Sequence, residues 1–182
     1  MFPNWDSDLF KLINSTHSDF WDVIMIILSN KYIWIPLYLF IIKKLIDQYK
    51  KGAWKSILYL ISTVILADQV ASSFFKPLVK RLRPCHVETF QSWIHLPDGC
   101  GGLYGFCSSH AANSFALAMA VYLLTKNKWA RYPLFFWAFM ISYSRIYLGA
   151  HYPLDVLVGA FVGILASILL YKVIYTKLVK KA

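Results

Sequence analysis

The chain has 182 residues, 58% of them hydrophobic and 18% aromatic, and only 15% carry charge, against about a quarter in an average soluble domain. Disorder is excluded, because it needs low hydrophobicity, and a soluble domain of this size could not hide so much apolar surface. The net charge of +10, from 19 Lys and Arg against 9 Asp and Glu, fits either a nucleic-acid face or a membrane orientation signal, and the placement of the cations decides.

Residues 1–30 come first. Stretch 9–28 is helical in pattern but carries Lys11, His17, Asp19 and Asp22. It reads as an interfacial or re-entrant segment with an apolar tip at 23–28, the alternative being a span that starts near Phe20. It lacks the basic head and clean apolar core of a cleavable leader. Five apolar stretches follow, at 32–46, 56–75, 111–125, 131–147 and 153–171, against the 20 or so helical residues that a bilayer core of roughly 30 Å requires; the first, third and fourth are short, so tilt and flanking charges must help them span. The expectation is all-α: a polytopic membrane helical bundle of about five to six transmembrane helices, with 1–182 as a single integral-membrane domain.

Alternating the five spans from an outer N-terminus gives the inner face Lys43, Lys44, Lys50, Lys51, Lys55, Lys126, Lys128, Arg131, Lys172, Lys177, Lys180 and Lys181, with Asp47 as its only acid. The inner side then carries +11 and the outer side −1. The basic balance is therefore an orientation signal, with the lipid bilayer as partner and no nucleic acid. Trp34, Trp54, Trp129 and Tyr147 fall near span ends, as interface anchors do.

One long connection, 76–109, is polar, rich in Gly, Pro and Cys, and falls on the outer side. Chemistry-bearing residues stand at three helix mouths there. Lys76, Lys80 and Arg83 share one face if 77–83 is helical, and such a face suits a dianion. Ser108, Ser109 and His110 open the third span, where a helix N-terminus attracts anions and His110 can donate a proton. Ser144, Arg145, His151 and Asp155 bridge the last two spans. His151 and Asp155 stand four apart, close enough for the carboxylate to accept a hydrogen bond from the imidazole. Asp68, two turns deeper than Lys76, is placed to pair with Lys76 or with a motif Arg. Together these are a set for phosphoryl transfer: cations for the phosphate oxygens, a nucleophile, its orienter and a general acid. The Cys, His and acidic residues do not show a metal-ligand spacing, so no metal or other cofactor is expected. Cys85, Cys100 and Cys107 all lie on the outer side, and a Cys85–Cys100 bridge would staple the loop beside Arg83. Glu88, His86 and His95 read as solvated loop residues. An anion transporter would need broken spans and internal repeats, which are not visible, and a passive scaffold gives no reason for His151 and Asp155 beside Arg145.

The pattern K-x6-R-P (Lys76, Arg83, Pro84), x-S-x-H (Ser108, His110) and S-R-x5-H-x3-D (Ser144, Arg145, His151, Asp155) resembles the type-2 phosphatidic acid phosphatase superfamily. The resemblance runs from the second span to the fifth. It implies that His151 attacks phosphorus to form a phosphohistidine, that Asp155 orients it, and that His110 protonates the leaving group. It implies that Lys76, Arg83, Ser108 and Arg145 hold phosphate oxygens without a metal. The family's middle motif is usually Pro-Ser-Gly-His, and here it reads Cys107-Ser108-Ser109-His110, so Ser109 reshapes the phosphate cradle or adds its own hydroxyl. The compact size is similar to that of small bacterial members, which implies a lipid substrate, an inner-membrane location and a site facing the periplasm or outer side. Undecaprenyl diphosphate is the favoured substrate, with phosphatidylglycerophosphate and lipid A phosphates as alternatives.

Overall fold

The computed structural model of the chain describes residues 2–125 and 128–176, without the side chains of 128–131 and 174. Of the expected inner-face cations, Lys126, Lys177, Lys180 and Lys181 lie outside the described residues. The described residues form helices joined by turns and one long loop, with no strand among them. In order these are α1 (Asn4–Ser15), α2 (Asp19–Ser29), α3 (Ile35–Tyr49), α4 (Ala53–Gln69), α5 (Lys76–Val79), α6 (Ser109–Thr125), α7 (Lys128–Tyr147) and α8 (Pro153–Leu170).

The N-terminal segment is two helices rather than one helical run. Thr16 leaves helical geometry, and the Ser18 hydroxyl then accepts the Trp21 N–H to start α2. At 11 residues, α2 is about 16 Å long, too short to cross a bilayer by itself. Along α1, Asp6, Phe10 and Asn14 recur every four residues and are all buried, because that face docks on α7 and α8.

Two helical stretches are long and apolar enough to cross a membrane, Ile35–Val79 and Pro153–Val173, with mean hydropathies of 1.6 and 2.3. The first is not straight. Lys50 takes a positive φ of 49°, and α3 folds back to pack on α4. Beyond Gln69 the helix widens to π pitch over Val70–Phe75 and runs on into α5.

The bundle is built around α6, which packs on α4, α7 and α8. Its buried face is mostly alanine: Ala111, Ala112, Ala116, Ala118 and Ala120. On α8, a Cβ at Gly159 would stand 2.5 Å from the Ser108 carbonyl, and one at Gly163 would collide with the Ala112 carbonyl, so only glycine permits this approach. The opposite face of α8 exposes Leu157, Phe161, Leu165 and Leu169 at four-residue steps. Small residues inward and large apolar residues outward is the pattern of a helix that meets lipid on one side and protein on the other.

Candidate active site

The helix expected over 77–83 does not form. It stops at Val79, because Lys80 enters the left-handed region at φ 50°. The chain then runs extended and pairs with a distant part of the same loop. Arg83 donates its N–H to the Leu103 carbonyl at 3.1 Å, and Gly105 donates to the Arg81 carbonyl at 2.9 Å. In extended chain, residues two apart share a side. Arg81 and Arg83 thus turn inward while Lys80 is exposed, so no Lys76–Lys80–Arg83 face exists.

Arg81, which sequence reasoning left aside, is the centre of the buried charge. Its Nη1 donates to Asp155 Oδ1 at 2.8 Å and its Nη2 to Asp6 Oδ2 at 2.6 Å. The guanidinium lies 3.9 Å from the Phe2 ring centre and 3.7 Å from that of Tyr152. Both carboxylates are fully buried. One planar cation therefore satisfies two acids and stacks between two rings, which lysine could not do. The other oxygen of Asp6 accepts the Leu154 N–H at 2.8 Å, tying α1 to the first turn of α8.

Asp155 thus faces Arg81 as well as His151. Its Oδ2 accepts the Tyr152 N–H at 3.1 Å and lies 3.6 Å from His151 Nδ1, which is ion-pair distance and not a hydrogen bond. The imidazole faces the carboxylate, but Arg81 holds the close contact. The turn carrying His151 depends on Gly149, at φ 72°, and on the Arg145 carbonyl, which accepts the N–H groups of Ala150 and His151. His151 is 1% exposed. Burial first, and then the cations Arg83, Arg145 and Lys76, push its pKa well below the usual histidine value. It is therefore a neutral imidazole at neutral pH, with Nε2 on the ring edge away from Asp155.

The remaining predicted residues close around it. Lys76 Nζ donates to Ser109 Oγ at 3.0 Å, so the serine at the usual glycine position anchors a motif cation. Ser108 is fully buried and donates its backbone N–H to the Asp155 carbonyl at 2.9 Å. Burial pushes the adjacent Cys107 thiol up to about 11, so it stays protonated. Arg145 Nη1 donates to Ser29 of α2, while its Nε and His151 Nδ1 are buried without a hydrogen-bond partner. His110 stands within electrostatic reach of Arg145, His151, Arg83 and Lys76. It lines a cavity of about 590 Å³ between α3, α4, α6 and α7 and a smaller one of about 350 Å³ that also touches Arg145.

Asp68 does not meet Lys76 or a motif Arg by hydrogen bond. It accepts the Asn113 amide at 2.9 Å. Gly105 is a further residue that sequence reasoning missed. A Cβ there would lie 3.1 Å from Asp155 Oδ2 and 3.1 Å from Arg83 Cγ, tight enough that both must give way slightly, and 3.5 Å from His151 Nδ1, in ordinary contact.

Cys85 and Cys100 are joined by a disulfide across the loop. His86 Nε2 lies 3.0 Å from the Gly101 carbonyl, His95 pairs with Asp22 at 2.8 Å, and Glu88 is exposed, so the three serve the loop or face solvent. Cys85, His86 and Cys100 are close enough to hold a metal, but the two sulfurs are bonded to each other. The bridge closes a loop of 15 residues, worth about 3 kcal/mol. Cys85→Ser in the purified protein is expected to lower Tm by about 6–12 °C, read by thermal unfolding in detergent. An unchanged Tm would show that the loop is held without it.

The chain is 40% identical over 164 residues to the lipid A 4'-phosphatase of Bacteroides thetaiotaomicron, an alignment that covers 87% of this chain and 72% of that protein. It is 32% identical over 177 residues to the undecaprenyl-diphosphatase of Sulfolobus acidocaldarius, covering 96% and 81%. The crystal structure of Aquifex aeolicus LpxE superposes with a TM-score of 0.70 at 29% identity, covering 91% of this chain and 93% of that one. With its two apolar stretches, the chain is an integral membrane protein. Residues 52–178 match the PAP2 superfamily, and the chain belongs to that superfamily as a membrane lipid phosphatase.

Proposed function

We propose that the chain hydrolyses a phosphate ester of a long-chain lipid through a covalent phosphohistidine, in one integral-membrane domain of five to six spans. The observation that carries this reading is a buried, neutral His151 ringed by Lys76, Arg83 and Arg145. His151 Nε2 attacks phosphorus while Asp155 stabilises the proton on Nδ1. The three cations and Ser108 take the charge that grows on the non-bridging oxygens. The P–O bond to the lipid breaks as His110 protonates the departing oxygen. His110 then takes a proton from water, which attacks the phosphohistidine, and inorganic phosphate leaves with His151 restored.

The relative at 40% identity supports a phosphate on lipid A as the substrate. The undecaprenyl-diphosphatase relative at 32% keeps the diphosphate reading as the second. The positive-inside balance supports a site on the outer side of a bacterial inner membrane. The deciding experiment is phosphate release by the purified protein from lipid A phosphate, undecaprenyl diphosphate and phosphatidylglycerophosphate. Absence of release from all three would reject the reading.

Arg145 offers a sharper test of the cradle. Its guanidinium bonds Ser29 on one side and keeps a buried N–H for an oxyanion on the other. Lysine supplies charge at one point only. Arg145→Lys is expected to lower kcat/KM on the order of 10- to 100-fold, as the loss of one charge-assisted hydrogen bond implies. Full activity in steady-state assays would remove Arg145 from the phosphate site.

A further inference from the structure

The cavity below His110 has a polar collar that the hydrolysis above does not use. His110 and Asn113 are three apart on α6, one turn deeper in the same cavity wall. Asp68 faces Asn113 from α4, and the two side chains are bonded at 2.9 Å. Beyond them the walls are mainly apolar, with Ile41, Leu60, Ile61, Val64, Ile65 and Leu117, joined by Tyr38 and Trp137. The order from the reacting phosphate inward is thus acid, polar pair, apolar slot.

The polarity of the pair is fixed by its own bond. A carboxylate only accepts, so Asn113 must present its NH₂ to Asp68 and aim Oδ1 elsewhere. That Oδ1 is buried and has no partner. Asp68 Oδ1 holds the amide, and its Oδ2 has only a long contact of 3.4 Å to Ser72. The collar is therefore rich in acceptor oxygens and holds one carboxylate, while Lys31 lines the same cavity. A buried acceptor without a donor costs about 1–3 kcal/mol, so a ligand that brings O–H or N–H groups gains there what a hydrocarbon does not.

We infer that Asp68 and Asn113 determine specificity by binding hydroxyl or amide donors on the leaving lipid, and so select a neutral, acylated sugar over a bare chain. The inference rests on the roles given above to His151 and His110, since it places the leaving group in this cavity. It separates the two substrates left open there. A diphosphate leaves as a phosphate anion, which Asp68 repels, whereas a sugar alcohol leaves neutral and supplies donors.

The test uses the full chain in detergent with lipid A phosphate, dodecyl phosphate and undecaprenyl diphosphate, and reads the ratios of kcat/KM. Ratios do not depend on the folded fraction, so a partly unfolded variant still reports. The wild type is expected to prefer lipid A phosphate to both others. Asp68→Asn and Asn113→Leu are each expected to reduce that preference about tenfold, the effect of one hydrogen bond to a charged or buried group. Unchanged ratios in both variants, or a wild type that prefers dodecyl phosphate or undecaprenyl diphosphate, would overturn the inference. Turnover retained in His151→Ala would reject the phosphohistidine reading instead, while the ratios still judge the pair. A wild type that cleaves none of the three substrates would overturn both.

Discussion

His151→Ala is expected to lower phosphate release from a lipid phosphate by at least about 10³-fold, because removing a nucleophile removes the covalent route itself. The cause must be chemical and not structural, and the site allows that distinction. His151 Nδ1 has no hydrogen-bond partner, so alanine breaks no hydrogen bond at that atom. The variant should stay folded in detergent with its disulfide intact. Mass spectrometry of wild-type protein quenched under alkaline conditions should find one phosphate on the His151 peptide and none on the same peptide of the variant. His110→Ala provides the internal control. It should slow cleavage of a lipid phosphate ester, whose alcohol leaving group needs a proton, far more than cleavage of p-nitrophenyl phosphate, whose leaving group departs without one. Equal loss on both substrates would remove His110 from the acid role. Near-normal turnover by His151→Ala would end the nucleophile assignment.

Arg81→Gln is expected to be the most damaging substitution for stability. The wild-type guanidinium neutralises two carboxylates, Asp6 and Asp155, that are each 0% exposed. Without it both remain buried and uncompensated, at a cost of about 3–5 kcal/mol, and the stacking on Phe2 and Tyr152 is lost as well. A protein that fails to fold would hide any effect on catalysis, so Asp6→Asn carries the second measurement. The amide keeps an oxygen for the Leu154 N–H and removes only one charge from the triad. Because neither Asp6 nor Arg81 touches substrate, kcat should fall about tenfold in Asp6→Asn with KM unchanged, through looser placement of Asp155. A change confined to KM would contradict a positioning role. Wild-type stability in Arg81→Gln, read by chemical or thermal unfolding, would refute the buried-triad account.

The parts of this molecule legible in the sequence are those set by local pattern. Apolar runs mark α3, α4, α6, α7 and α8 to within a few residues, since each is a helix with one apolar or small-residue face. Lys76, Ser108, Ser109, His110, Arg145 and His151 are legible through spacing, because helix ends deliver them to one side. What was not legible depends on partners far away in the chain. The expected helix at 77–83 gives way because 81–83 pairs with 103–105, an interaction no local propensity contains. Arg81 looked like one more loop cation, because its two acids lie 75 and 74 residues away. Asp68 turns to Asn113, a residue near the start of an apolar run that offered no sign of a cavity. The four-residue recurrence of Asp6, Phe10 and Asn14 was visible, but its meaning required knowing that α1 docks inward.

The clasp from Asp6 to Leu154 joins residues 148 apart in a chain of 182. The Asp6 carboxylate is satisfied by partners that lie far along the chain, Arg81 and the first turn of α8. The charges that hold Asp155 beside His151 therefore come together only when nearly the whole chain exists. The same bond thus couples α1 to the start of α8, so the placement of Asp155 beside His151 depends on packing between segments at opposite ends of the described residues.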